Sequence, residues 1–307
     1  MYSGLAGRDL LSIGDLSRED IEAVLDCAVE QKRTGTTPRP LDGKSVGMIF
    51  QRPSNRTRVS FEVAIHQLGG HPIPLFSQEI QLGERESVAD IARILDRYLD
   101  GIVARVYNQP DLEGMAANAN APVINAMTDS EHPCQILADL LTIREHVGRD
   151  AVVTYLGDGN NVCNSWILAS AILGFPLRLV VPEGYEPRPA ILKREAALGG
   201  SAGNRRWAVN SALEDTDIIY TDVWTSMGQE QERERRRRDF AEMQVNSDLL
   251  KLAPPRARVM HCLPAHRGEE ITDEVIDGPQ SIVFDQAENR LHVQKALLTL
   301  IYAPVVG

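Results

Sequence analysis

The chain has 307 residues, 43% of them hydrophobic, which is enough apolar material for more than one domain. Its net charge of -11 disfavours binding to nucleic acid or to anionic lipid, so an anionic ligand would need a local cationic pocket. The four cysteines are far apart and form no CxxC pair, and no stretch is apolar enough for a signal peptide or a membrane span. The sequence therefore predicts a soluble cytoplasmic protein with no zinc site, disulfide framework, nucleic-acid partner or membrane partner.

Short apolar runs alternate with longer amphipathic ones along almost the whole chain, a pattern typical of strands, crossover helices and parallel strands. We therefore predict an α/β protein with two units, each built on a parallel sheet. The predicted strands of the first unit are SVGMIF (45–50), HPIPLF (71–76), GIVARV (101–106) and PVINA (122–126). Its predicted helices are TRVSFEVAIHQL (57–68), SVADIARILDRYL (87–99) and HPCQILADLLTIREHV (132–147).

The second unit begins at residue 149, and the last helix, 286–302, is expected to pack back on the first unit. The charged run ERERRRRDF (232–240) is interpreted as a solvated helix face and not as a nucleic-acid patch. The predicted elements of the second unit are, in order, AVVTYLG (151–157), NVCNSWILASAILG (161–174), LRLVVPE (177–183), a helix from Pro187, DIIYTDV (217–223), ARVMHCL (257–263) and SIVFD (281–285).

SNRTR (54–58) lies where the first strand ends and a helix begins, so free backbone N–H groups and the helix dipole favour an anion there. Ser54 can cap the helix, Thr57 adds a hydroxyl, and Arg56 and Arg58 offer guanidinium groups that match phosphate oxygens two at a time. A capped surface helix with solvated arginines is the alternative interpretation. Because ligands of open parallel sheets bind beyond the carboxyl ends of the strands, the other strand ends decide between the two.

Two further strand ends of the first unit carry polar side chains. Arg105 ends one strand, and HPCQ (132–135) opens a helix after the next one, with His132 and Gln135 one turn apart. This pair can hydrogen-bond a carbonyl oxygen and an amide NH₂, although a histidine that merely caps its helix is the alternative. Cys134 is expected to be a packed small hydrophobic residue.

GDGNNV (157–162) joins a strand to a helix and resembles a dinucleotide-binding turn, with Glu183 near the position of a ribose-binding acid. Val162 stands where the third glycine belongs, which weakens that interpretation. Asn160 and Asn161 are better suited to a small molecule that carries a carboxylate.

Two more strand ends of the second unit carry reactive groups. DVWTSMG (222–228) places the carboxylate of Asp222 at a strand end and follows it with a flexible loop. HCLPAH (261–266) places Cys262 at another, where it is a titratable thiol or an inert buried residue. Phosphate and amide binders in the first unit, with ammonium and carboxylate binders in the second, indicate an acyl phosphate and an amino acid that meet across a cleft.

SNRTR, HPCQ, GDGNNV, DVWTSMGQE and HCLPAHRGEE, in this order and spacing, resemble the motifs of the ornithine carbamoyltransferases, and the resemblance covers nearly the whole chain. It implies a carbamoyl-phosphate domain (1–148, with 286–307 packing back on it) and an ornithine domain (149–285). Both would be αβα domains linked by interdomain helices, in a homotrimer with shared active sites and no metal or organic cofactor. Asn55 stands where the family more often has threonine, and Arg52 where it more often has lysine.

The resemblance also implies roles for individual residues. Arg56, Arg105 and His132 would stabilise developing charge, and Asp222 with Cys262 would receive the δ-amine, whose proton passes to Cys262 or to the leaving phosphate. Gln81 would reach in from the adjacent subunit. The carbamoyl-phosphate contacts would be Ser54, Asn55, Arg56, Thr57, Gln81, Arg105, His132, Gln135, Cys262, Leu263 and Arg290. The ornithine contacts would be Asn161, Asp222, Ser226 and Met227.

Three other classes of function remain open at this point: a carbamoyltransferase for another amine, a dehydrogenase and a non-catalytic binding protein. An aspartate carbamoyltransferase would need an arginine-rich pocket for a dicarboxylate, which the second unit does not offer, and relatives that act on acetylated or succinylated ornithine or on putrescine depart from the SMG pattern. An NAD-dependent dehydrogenase rests on the incomplete glycine motif. A non-catalytic binding protein of the same fold would not need so many reactive side chains.

Overall fold

The computed structural model describes residues 4–204, 206–225 and 230–304. The chain divides into two compact units, one formed by residues 1–141 and 289–307 and the other by residues 142–288. Both boundaries fall inside helices, Pro133–His146 and Val283–Ile301. Each unit contains a four-stranded parallel sheet with helices around it, which confirms the predicted α/β class.

The first unit has the strand order β2-β1-β3-β4. Its strands β1, β3 and β4 are buried along almost their whole length, as expected for parallel strands covered on both faces. The strands are β1 Ser45–Phe50, β2 His71–Phe76, β3 Gly101–Arg105 and β4 Val123–Met127. The helices are α1 Arg18–Thr34, α2 Asn55–Gln67, α3 Ser77–Ile80, α4 Val88–Leu95, α5 Gln109–Ala116 and α6 Pro133–His146.

All four strands predicted for this unit are present, and α1 is an element that the sequence analysis leaves unassigned. Ser17 caps α1, and the side chain of Asp20 accepts from the backbone N–H of Ser17 in return. The helix ends at Gly35, whose φ of 65° is the left-handed conformation that favours glycine. The motif S-x-x-D at residues 17–20, together with the glycine at position 35, is therefore the signal that could have predicted both ends of this helix.

The second unit has the strand order β6-β5-β7-β8. Its core packs around aromatic and aliphatic side chains that include Trp224 and Phe240, stacked with ring centroids 5.8 Å apart. The strands are β5 Val153–Leu156, β6 Leu177–Val180, β7 Ile218–Thr221 and β8 Arg258–His261. The helices are α7 Asn161–Leu173, α8 Pro189–Ala197, α9 Val209–Leu213, α10 Arg233–Asp239, α11 Ser247–Leu250, α12 Asp273–Ile276 and α13 Val283–Ile301.

The last helix differs from the prediction in where it starts. It begins at Val283 and not at residue 286, so most of the apolar run SIVFD belongs to it, and only Ser281 forms a bridge with Val259 of β8. A short apolar run cannot be assigned to strand or helix from periodicity alone. Arg290 consequently lies in the middle of α13 and not at its start.

Both sheets have the same topological switch point. In the first unit β1 leads to β2 on one side, while its neighbour β3 leads to β4 on the other side. In the second unit β5 and β7 lead in the same way to β6 and β8, so the crossovers from these neighbouring strands run in opposite directions. The loops at the carboxyl ends of the two strands that flank such a point diverge and leave a crevice that commonly binds ligands. Residues after β1 and β3, and after β5 and β7, are therefore the places to search for a site.

No helix within the described ranges combines the length and the apolar character needed to cross a bilayer.

Candidate active site

The switch point of the first unit brings together SNRTR and Arg105. Ser54 follows β1 and caps α2, with its side chain accepting from the backbone N–H of Thr57 over 3.2 Å. Arg105 ends β3, and the pairing of β3 with β4 shifts register between Ala104 and Arg105. Such irregularities re-aim side chains near functional sites. The side chain of Arg105 is buried in spite of its charge.

The hydroxyl of Thr57 joins this cluster into one network. It accepts hydrogen bonds from Nη1 of Arg105 over 3.4 Å and from Nη2 of Arg290 over 2.7 Å, and it lies 3.1 Å from the hydroxyl of Ser54. The hydroxyl of Ser54 donates to the same oxygen, so three side chains converge on the Thr57 hydroxyl. The fully buried Thr57 thus fixes two cations from distant parts of the chain.

His132 lies among three guanidinium groups at the start of α6. Burial lowers the pKa of His132 well below its usual value, and the positive charges of Arg290, Arg105 and Arg56 lower it further. His132 is therefore neutral near pH 7 and can donate one N–H. Three arginines around a buried neutral histidine form a strongly cationic environment, which suits a doubly charged anion with a carbonyl group beside it.

Gln135 lies one turn after His132 and is also buried. Its Nε2 donates to Oδ1 of Asp139 over 2.8 Å. Cys134, between the two, is fully buried; its thiol donates to the backbone oxygen of Asn125, and burial raises the pKa of Cys134 to about 12. Cys134 is therefore a packed residue, as the sequence analysis expects, and not a nucleophile.

Two polar residues of SNRTR behave differently from the expectation. Asn55 is exposed, and its side-chain oxygen accepts the backbone N–H of Arg56 over 2.8 Å, so two N–H groups at the start of α2 are already bonded to Asn55 and Ser54. Arg58 pairs with Glu62 over 2.8 Å on the outer face of α2 and lies over the ring of Phe76. The guanidinium group of Arg58 is thus engaged by Glu62 and Phe76, and its expected phosphate role stays a prediction.

Gln81 and Leu263 share an unusual backbone conformation. Among the described residues they are the only non-glycine residues with positive φ, 40° and 58° respectively. Such conformations cost about 1–3 kcal/mol and cluster at functional sites. Gln81 is exposed and caps the short helix α3, whereas Leu263 follows β8 and donates its N–H to Nδ1 of His261 over 2.8 Å. Sequence motifs point to both residues, but their backbone strain is visible only in the structure.

In the second unit the switch point is closed by a hydrogen bond between Asn160 and Asp222. Asn160 caps α7, accepting from the N–H groups of Val162 and Cys163, and its Nδ2 donates to Oδ2 of Asp222 over 2.6 Å. Asp222 directly follows β7 and is buried. Both asparagines are predicted candidates, and Asn161 is the expected ligand contact. In the structure Asn160 is the residue that holds Asp222.

Cys262 contacts the same carboxylate from the end of β8. Its thiol donates to Oδ1 of Asp222 over 2.9 Å. The preceding His261 is fully buried, with Nε2 3.1 Å from Glu270 and Nδ1 accepting from the N–H of Leu263, so it carries its proton on Nε2. This pair fixes the backbone that presents Cys262 and Leu263.

The remaining predicted contacts are only partly described. Asn161 is the first residue of α7, and its side-chain oxygen accepts the N–H of Val162 over 3.0 Å. Ser226 and Met227 of the SMG segment lie outside the described residues.

The glycine motif GDGNNV has a structural explanation that involves no nucleotide. A Cβ on Gly159 would lie 2.4 Å from the backbone nitrogen of Pro187, so only glycine allows this approach of two backbone segments. Asp158 pairs with Arg236 over 2.8 Å, and burial raises the pKa of Asp158 while Arg236 opposes the rise. Arg236 is itself buried and also donates to the backbone oxygen of Trp224. The interpretation of residues 232–240 as a solvated face is therefore wrong for Arg236.

Within the part of the chain that the structure describes, two groups of side chains have the ligand atoms and the spacing for a metal ion: Asp222 with His261 and Cys262, and His266 with Glu269 and Glu270. In the first group the thiol already donates to Asp222. In the second, Oε1 of Glu270 accepts from His261 and from the N–H of His266. Hydrogen bonds within the protein thus use atoms that a metal would need, and we assign neither group to a metal.

Comparison with known proteins matches both halves of the chain to models of one protein family. The model of the aspartate/ornithine carbamoyltransferase carbamoyl-P binding domain matches residues 8–145, and that of the Asp/Orn binding domain matches residues 149–301. The chain is 51% identical to the anabolic ornithine carbamoyltransferase of Pyrococcus furiosus, over 98% of this chain and 98% of that protein. It is also 51% identical to the ornithine carbamoyltransferase of Methanosarcina mazei, over 95% of this chain and 98% of that protein.

Solved structures of ornithine carbamoyltransferases superpose on almost the whole chain. The ornithine carbamoyltransferase from Pyrococcus furiosus superposes with a TM-score of 0.92 at 50% identity, covering 99% of this chain and 100% of that one. The enzyme from Thermus thermophilus gives 0.85 at 44% identity, over 95% and 98% of the two chains. The cationic cluster around His132, the Asp222–Cys262 pair and these full-length matches together show that this chain belongs to the aspartate/ornithine carbamoyltransferase family.

Proposed function

We propose that the chain is an ornithine carbamoyltransferase that converts carbamoyl phosphate and L-ornithine into L-citrulline and phosphate in arginine biosynthesis. The observation that carries this proposal is the position of Arg56, Arg105 and Arg290 around the neutral His132. Relatives that are about 50% identical along the whole chain have names that state the same activity, and one of them is called anabolic.

The first unit supplies the carbamoyl-phosphate residues in this proposal. Arg56, Arg105 and Arg290 neutralise the phosphate, and the network around the Thr57 hydroxyl orients Arg105 and Arg290. Neutral His132 donates to the carbamoyl oxygen, and Gln135 contacts the carbamoyl amino group. Asn55 contributes at most its amide NH₂, because its carbonyl is bonded to the start of α2.

The second unit supplies the ornithine residues. Asp222 pairs with the α-ammonium group and Asn161 binds the carboxylate, with Ser226 and Met227 completing the pocket. Asn160 holds Asp222 in place through its 2.6 Å hydrogen bond. Cys262 and Leu263 lie beside the δ-amine and the carbamoyl group. A carboxylate that already accepts from Asn160 and Cys262 is oriented before the substrate arrives, which reduces the cost of binding.

The chemistry is attack of the neutral δ-amine on the carbamoyl carbon, with loss of phosphate. Free ornithine carries this amine protonated, with a pKa near the lysine value of about 10.4, so binding must favour the uncharged form. Charge grows on the carbonyl oxygen and on the leaving phosphate, where Arg56, Arg105 and His132 stabilise it; removal of one such donor typically costs on the order of 10²-fold in rate. Since the Cys262 thiol donates to Asp222, the dianionic phosphate is the favoured acceptor of the amine proton, and Cys262 positions Asp222.

We further propose that the enzyme is a cytoplasmic homotrimer in which Gln81 serves the site of a neighbouring subunit. The exposure of Gln81 and its left-handed conformation support a role outside its own unit. We assign residues 1–148 with 286–307 to carbamoyl phosphate and residues 149–285 to ornithine. The order of the two matching family models supports the order of these domains, and the grouping of residues 289–307 with the first unit supports the placement of the last helix.

The test is a citrulline assay with carbamoyl phosphate and a panel of amines: ornithine, putrescine, acetylornithine and aspartate. Ornithine should be preferred by at least about 10²-fold in kcat/KM, because the α-ammonium and carboxylate contacts are both lost with putrescine. Preference for another amine, or no product with any of them, would contradict the proposal.

A further inference from the structure

The amide of Gln135 is held at one end only. Nε2 donates to Oδ1 of Asp139 over 2.8 Å, one turn further along α6, and both side chains are buried. Oε1 is also buried and has no hydrogen-bond partner among the described residues. A carboxylate oxygen accepts and does not donate, so Asp139 fixes which end of the Gln135 amide it binds. The carbonyl oxygen of Gln135 is therefore the atom that can accept a hydrogen bond from a ligand.

A buried carbonyl oxygen without a donor is uncommon in proteins and calls for an explanation. Gln135 lies on the same helix as His132, one turn away, and His132 lies within the field of the three arginines. The ligand proposed for this cluster carries a phosphate, a carbonyl and an amino group. Only its amino group can donate a hydrogen bond, and only an acceptor on the protein can receive it.

We infer that Asp139 is a positioning residue that sets Oε1 of Gln135 toward the amino group of the carbamoyl donor, and so selects a carbamoyl group over an acyl group that has no N–H. With the amide reversed, the NH₂ of Gln135 would meet the NH₂ of the ligand and two donors would face each other. The identity of the ligand rests on the proposed function, whereas the orientation of Gln135 rests on the bond to Asp139.

The experiment compares carbamoyl phosphate with acetyl phosphate, in which a methyl group replaces the amino group, and with inorganic phosphate, which has neither. In the wild type the inhibition constant of acetyl phosphate should exceed the KM of carbamoyl phosphate by about 10-fold or more, the value of one lost hydrogen bond. In Asp139→Asn, whose amide accommodates either orientation of Gln135, this ratio should fall to within about 3-fold. The inhibition constant of inorganic phosphate and the KM of ornithine should not change.

A double variant separates positioning from simple support of α6. Gln135→Met should lose the same selectivity, and adding Asp139→Asn to it should change the ratio no further, because Asp139 acts through Gln135. If Asp139→Asn weakened the binding of carbamoyl phosphate, acetyl phosphate and inorganic phosphate equally, the inference would be overturned, since Asp139 would then have a general structural role. A wild-type ratio near one would also overturn it, and that measurement needs no variant. The wild-type citrulline assay tests the proposed function by itself, and the change in ratio tests the orientation alone.

Discussion

The thiol of Cys262 donates a hydrogen bond to Oδ1 of Asp222 over 2.9 Å, which couples the polar side chains at the ends of the neighbouring strands β8 and β7. Asn160 binds the other carboxylate oxygen from the end of β5. Three strand ends of the second sheet therefore converge on one carboxylate, and the side chains of Asn160 and Cys262 both donate to it.

If Cys262 acts through this bond, its replacement by serine should be mild and its replacement by alanine severe. We expect Cys262→Ala to lower kcat/KM for ornithine about 10-fold or more, because Asp222 loses a donor, and Cys262→Ser to recover most of that loss since an O–H also donates. Steady-state citrulline formation checks this, with Cys27→Ala in α1 as the matched control. Equal losses with serine and alanine would show that the sulfur itself takes part in the chemistry.

Removal of the Thr57 hydroxyl should lower activity strongly, although the group is small. Thr57→Val keeps the shape but removes the acceptor for Arg105 and Arg290, so two buried guanidinium groups lose a fixed partner. We expect kcat/KM for carbamoyl phosphate to fall on the order of 10²-fold. The control is Thr154→Val, another fully buried threonine, whose hydroxyl bonds the backbone oxygen of Ala212 and the hydroxyl of Thr216 in the second unit. This control should lower the thermal midpoint without changing the KM of carbamoyl phosphate.

The sequence predicts the parts of this molecule that local patterning determines. All eight strands, and the placement of SNRTR, Arg105, HPCQ, Asp222 and Cys262 at strand ends, follow from apolar runs and from the rule that parallel sheets bind ligands at their carboxyl edge. Contacts between residues that are distant in sequence cannot be predicted from such patterns. Arg290 meets Thr57 across 233 positions, and the burial of Arg236 within a charged run depends on Asp158, 78 residues earlier.

Stability should depend on pH through His132. Burial and the three arginines lower the pKa of His132, so below the usual pKa of about 6.5 the unfolded chain binds this proton more readily than the folded chain. The free energy of unfolding is therefore unaffected by this group above that pH and decreases below it, with a slope of up to about 1.4 kcal/mol per pH unit.

Urea titrations between about pH 7.5 and 5.5 measure this slope. His132→Gln should remove it, and the control His66→Gln, at an exposed position on α2, should leave it in place. An identical pH dependence in wild type and His132→Gln would show that His132 is not held neutral in the folded state.

If the proposed homotrimer shares its active sites, inactive subunits should complement one another. Arg56→Ala and Gln81→Ala should each be nearly inactive as pure proteins. Mixed trimers would then contain sites with Arg56 from one subunit and Gln81 from its neighbour, so random mixing should restore up to about a quarter of wild-type activity. As the control, Arg56→Ala mixed with His132→Gln should restore nothing, because the proposal places both residues in the same subunit's site. No recovery with Gln81→Ala in trimers shown to be mixed would place Gln81 in its own subunit's site or outside any site.

Arg236 should link the stability of the second unit to ornithine binding. Its guanidinium group binds Asp158, the backbone oxygen of Trp224 and Glu232. Trp224 and Glu232 flank in sequence the predicted ornithine contacts Ser226 and Met227. Arg236→Lys keeps the charge but cannot reach three acceptors in one plane. We expect a loss of about 1–3 kcal/mol in the free energy of unfolding and a several-fold higher KM for ornithine, with the KM of carbamoyl phosphate unchanged. Arg235→Lys, one position away but exposed, paired with Asp239 on its own helix and 5.6 Å from the ring centroid of Tyr185, should change neither quantity by much. A higher KM for both substrates in Arg236→Lys, or an equal effect of Arg235→Lys, would show that the anchoring of this segment is not what Arg236 contributes.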